Sequence, residues 1–91
     1  MSFEGLPGAE LIEQGLSDLT QDRKTVSALL VSIGAPRLRR LGLVIDSPIP
    51  YPEEALYETF WREDEDSAHG RYNALVRRLV SFERAAECAR S

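Results

Sequence analysis

Apolar residues recur along this chain at helical spacing rather than in strict alternation, so the pattern predicts helices. Leu11, Ile12, Leu16 and Leu19 form one stripe, with Glu10, Glu13, Gln14 and Asp18 on the opposite side. The turn-rich Gly5-Leu6-Pro7-Gly8 precedes them, so residues 1–8 read as a flexible lead-in. Gly15 weakens this first helix by about 1 kcal/mol relative to alanine, unless another helix packs closely against it. Residues 20–24 are a polar connection, and Asp22 or Thr25 is placed to cap the second helix.

Residues 26–33 are the most apolar segment and are apolar nearly all round, which puts that helix at the centre of the fold. Gly34-Ala35-Pro36 is expected to stop or kink it, because proline lacks the N–H and restricts the residue before it. Pro36 then opens a short helix, 36–41, which Gly42 ends. Leu43-Val44-Ile45 has strand character, but prolines at 48, 50 and 52 favour an extended crossing segment. Pro52, Glu53 and Glu54 suit a helix start, proline first and then acids at the positive end of the dipole. Leu56, Tyr57, Phe60 and Trp61 lie within that helix. Residues 62–66 are charged throughout and break the pattern, and Asp66 or Ser67 caps a last helix reaching about Ala89.

The last helix is the most informative element. Ala68, Tyr72, Leu75, Leu79, Phe82, Ala86 and Ala89 are separated by alternating steps of four and three, the a/d spacing of a coiled-coil seam. Val76 and Val80 widen one edge of it. Such a seam packs a helix into its own bundle or pairs it with a second chain. Glu83 interrupts the seam, because at about 100° per residue it falls inside the apolar sector. A buried carboxylate needs a partner or a route to water. Three solutions are open: Arg78 of a parallel partner helix, one of Arg37, Arg39 and Arg40 within the chain, or a wet edge.

Composition narrows the function classes. With 91 residues, 43% apolar and 29% charged, the chain fits one globular domain with a thin core. Association often supplements such a core. A net charge of −4 argues against a protein that mainly grips phosphate backbones. The single cysteine, Cys88, forms no internal disulfide. No apolar run approaches the roughly 20 residues that span a bilayer, and no signal-like start is visible, so a cytoplasmic location is expected.

Candidate chemistry is sparse. His69 is the only histidine, and Glu65 and Asp66 beside it invite a metal site. Glu65 lies ahead of the helix, however, and no second histidine exists, so a solvent-exposed or capping role is expected. The acidic run at 63–66 lacks the alternating ligands and glycine of a calcium loop, and the helix dipole alone accounts for it. No nucleophile elbow and no glycine-rich phosphate cradle occurs. No catalytic, cofactor or metal-ligating residue is therefore assigned. Residues 26–43 resemble a helix-turn-helix layout in which Arg37, Arg39 and Arg40 would meet nucleic acid, although the second helix is barely two turns long. Tyr57 and Trp61 face partly away from the core-anchoring Leu56 and Phe60, as interface aromatics do.

The expectation is thus a single all-α domain, a compact four- or five-helix bundle with a long amphipathic C-terminal helix. Its expected role is a small non-catalytic interaction protein that self-associates, as a dimer, through its C-terminal helix together with the Tyr57/Trp61 surface, or else meets a protein partner. The interface residues are Tyr57, Trp61, Tyr72, Leu75, Leu79, Phe82 and Glu83. A nucleic-acid regulator using Arg37, Arg39 and Arg40 is the second expectation, and a small enzyme or ligand-binding protein the third.

Overall fold

A computed structural model describes residue 3 and residues 5–90 of the chain; Met1, Ser2 and Glu4 of the expected lead-in lie outside the described residues. Among the described residues there are four helices and no strand: α1 Ala9–Thr20, α2 Val26–Arg40, α3 Pro52–Glu63 and α4 Ala68–Arg90. Helix α2 packs against all three others, and Ala28, Leu29, Leu30 and Val31 are buried on nearly every side of it. The apolar segment at 26–33 is central, as its all-round hydrophobicity requires.

The expected stop at residues 34–36 does not occur. Helix α2 continues through Pro36 to Arg40, so the count is four helices and no separate 36–41 helix exists. An interior proline costs about 3 kcal/mol through a lost hydrogen bond and a ring clash. Continuing the helix buries Leu38 and Leu41, each worth about 1.5–3 kcal/mol, and that outweighs the proline. Gly42, at φ 99°, then turns the chain away, and Leu43 N donates to Leu38 O at 3.1 Å.

Two polar devices close the turns around α2. Thr25 caps it, accepting from Ala28 N at 3.1 Å while its own hydroxyl donates to the buried Asp18 at 2.5 Å. That hydrogen bond holds the Asp18 carboxyl below its ordinary value. On the other side, the buried Ser32 hydroxyl donates to Ala28 O and accepts from Ile49 N at 3.0 Å. Residues 43–51 cross beside α2 on this tether and on the guanidinium of Arg39, which donates twice to Ile45 O.

Helix α4 turns its heptad seam inward as far as Ala86, and the last seam residue, Ala89, is exposed. Ala68, Leu79, Phe82 and Ala86 are buried in the chain's own core, and Tyr72 and Leu75 lean against it. Phe3 meets Phe82 edge-on, with ring centroids 5.4 Å apart, and Leu6 also packs on the core. No helix among the described residues is long and apolar enough to cross a membrane.

Candidate interaction surface

Helix α3 carries two kinds of face because of its residue spacing. Leu56 and Phe60, four apart, are buried and anchor the helix. Glu54, Tyr57, Glu58 and Trp61 fall at i, i+3, i+4 and i+7, which places acid, aromatic, acid, aromatic in one outward row. The row faces the first turns of α4, and between them lies a groove of about 590 Å³. Tyr57, Trp61 and Tyr72 supply its aromatic surface, Glu53, Glu54 and Glu58 its acidic rim, and His69 and Asn73 its α4 edge. Tyr57 and Tyr72 meet edge-to-face, centroids 5.7 Å apart and planes at 66°, which fixes both rings. Trp61 remains 49% exposed and Tyr57 37%. Burial, and secondarily the Glu53 charge, raise the Tyr72 hydroxyl above its ordinary pKa, so it stays protonated and able to donate.

No lysine or arginine is among the described residues lining this groove. Glu58 pairs with Arg62 one turn along the helix, at 2.5 Å. Asn73 Nδ2 donates to His69 Nε2 at 3.1 Å, so His69 is exposed on the helix surface with an amide partner. Among the described residues, no three His, Cys, Asp or Glu side chains come together as a metal-binding group. A second cleft, about 680 Å³, lies where Gly5, Leu6 and Gly8 meet Arg78, with Glu10 and Glu13 at its edge, and it offers no aromatic anchor.

The seven expected interface residues divide into two groups. Tyr57, Trp61 and Tyr72 come together in the groove. Leu79, Phe82 and Glu83 are buried inside the chain, and Leu75 is half-buried against the core. The acidic rim and Asn73 do not stand out from the sequence as site residues. The i, i+3, i+4, i+7 row on α3 is the available signal, but Glu53 and Glu54 read first as helix-start acids.

Glu83 resolves among its three options in favour of the chain's own α2. Gly34 makes room for it: a Cβ there would lie 2.8 Å from Leu79 Cδ1 and 3.2 Å from Glu83 Oε2. Arg37 Nη1 stands 3.7 Å from Glu83 Oε1, a long pair between a half-exposed guanidinium and a buried carboxylate. Burial raises the Glu83 pKa, Arg37 offsets part of that, and Glu87 adds to it. A raised carboxylate pKa means that the fold prefers the protonated form. This contribution to stability is fully present below the ordinary carboxylate range and is lost as pH rises through the raised value. Asp18 acts with the opposite sign, contributing above the ordinary aspartate value and failing as pH falls through its lowered one. Thermal unfolding at stepped pH should therefore show Glu83→Gln gaining stability relative to wild type as pH rises above the ordinary carboxylate range. Parallel profiles for the two proteins would contradict the buried-carboxylate account.

The three arginines of the nucleic-acid expectation sit in the last turn of α2, where cations complement the helix dipole. Arg37 faces Glu83 and Arg39 holds Ile45 O. The turn that a helix-turn-helix needs between residues 33 and 37 is absent, because α2 is continuous there. No protein-family model, curated protein or solved structure matches the chain.

Proposed function

We propose that the chain is a small non-catalytic protein-interaction module whose contact surface is the α3/α4 groove. One observation carries this: Tyr57, Trp61 and Tyr72 gather on a concave surface, while Leu56 and Phe60 already anchor α3 to the core. Partly exposed Tyr and Trp at a concave site are the side chains that dominate protein contacts, since each gives a large rigid area with a polar tip. Pairing of two copies through Leu79, Phe82 and Ala86 would pull those residues out of the core they fill. The groove needs no such opening, and it is equally available to a second copy or to another protein.

A photo-crosslinking residue placed at position 61, in cells that make the protein, tests the proposal. It should give an adduct of discrete mass, whereas the same residue at position 13, on the exposed side of α1, should give none. A product of twice the chain mass identifies a second copy, and any other mass identifies another protein. Equal adducts from both positions, or none from position 61, would remove the groove as a contact surface.

A further inference from the structure

We infer that the occupant of the groove is a basic segment of another protein, which lays an arginine or lysine across Tyr57 and Trp61 and pairs it with the glutamates of α3. This rests on the groove being the contact surface. The chemistry is already present once within the chain. Arg71, from α4, holds its Cζ 4.2 Å over the Phe60 ring and its Nη1 2.7 Å from Glu63. Helix α3 thus accepts one guanidinium between an aromatic face and a carboxylate three residues on. On its outward row the same helix again sets aromatic rings, Tyr57 and Trp61, beside carboxylates, here Glu53 and Glu54, with Glu58 already paired to Arg62. No lysine or arginine from the described residues lines that second place.

The electrostatics agree with a cationic occupant. Ring faces are the negative ends of aromatic quadrupoles, so a cation over Tyr or Trp is attracted before any ion pair forms. Glu58 is held by Arg62, but Glu53 and Glu54 on the same rim would repel an acidic partner and steer a basic one, and the net charge of −4 adds to the same field. The groove also has more room than one side chain needs. It is a broad, open groove of about 590 Å³ that spans Tyr57, Trp61 and Tyr72. The basic residue is therefore flanked by apolar neighbours that cover the remaining aromatic surface.

Trp61 is the only tryptophan, so its emission reports on the groove alone. The protein is titrated, by emission and by calorimetry, with a short peptide bearing one arginine between leucines. The same peptide carrying citrulline, the neutral isostere of arginine, serves as comparison. Saturable binding of the arginine peptide is expected, with about tenfold weaker binding of the citrulline peptide, the sum of one cation–π contact and surface ion pairing. Glu53→Gln combined with Glu54→Gln should weaken the arginine peptide similarly, as should raised salt, and both positions are exposed. Equal binding of the two peptides, or an unchanged affinity in the glutamine variant, would overturn cation recognition while leaving the groove a contact surface. Tetramethylammonium binding as tightly as the peptide would assign the groove to a small cation and also overturn the proposal. No binding of either peptide, with an adduct still forming at position 61, overturns it too. Silence in both experiments removes the contact surface itself.

Discussion

Phe82→Ala should destabilise the chain by about 3–5 kcal/mol, the usual cost of truncating a buried phenylalanine. Phe82 is 1% exposed and the largest of the fully buried side chains. Its ring receives Phe3 edge-on, and the backbone at Gly8 runs close beside it, where a Cβ would lie 3.6 Å from Phe82 Cβ. Relaxation into the space left behind is limited by that backbone, so the loss belongs at the upper end of the range. Small domains have only about 5–15 kcal/mol in total, and a thin four-helix core stands near the bottom of that interval. Denaturant unfolding followed by circular dichroism would show a population already partly unfolded in buffer. If α4 instead paired chains through this seam, the same substitution would leave a folded monomer with near-native helicity.

Gly15→Val should be nearly as damaging, for a different reason. A Cβ on Gly15 would lie 2.3 Å from the Ser27 carbonyl oxygen and 2.4 Å from Val31 Cγ2, so α1 and α2 touch there along their backbones. Ser27 O is main chain and cannot rotate aside. Helix propensity favours replacing the glycine by up to about 1 kcal/mol, but overpacking a close contact costs about 1–3 kcal/mol and occasionally more. The overpacking term wins, because relieving it means separating two helices rather than turning one rotamer. Gly15→Ala should lower the thermal midpoint and Gly15→Val should lower it further, at about 4–8 °C per kcal/mol for a chain of this size. A midpoint raised by the alanine would show that propensity dominates and that the helices part easily.

These two positions also show how much of the fold is legible in the sequence. Gly15 is readable as a close-contact site because a glycine inside an amphipathic helix needs a packing reason. The four-three spacing from Ala68 to Ala86 locates the inward face of α4, and Glu83 is recognisable as a carboxylate in need of a partner. Spacing does not say which arginine that partner is, since Arg37 reaches Glu83 only because Gly34 lets α2 and α4 come close. Pro36 misleads for a comparable reason. A local rule stops the helix there, and only the tertiary burial of Leu38 and Leu41 overrides it. The groove is half legible: Tyr57 and Trp61 stand out as surplus aromatics, but the acidic rim becomes a site only once α3 is folded against His69, Tyr72 and Asn73.

Everything proposed for the groove depends on α4 spending its seam inside one chain, and the concentration dependence of unfolding tests that most directly. Across about a hundredfold range of protein concentration, the thermal midpoint should stay constant, as for a fold complete within one molecule. A midpoint that climbs steadily with concentration, as in an obligate dimer, and climbs equally in a Trp61→Ala variant of the groove, would mean that the Leu79–Phe82–Ala86 face is shared between chains and would contradict the account.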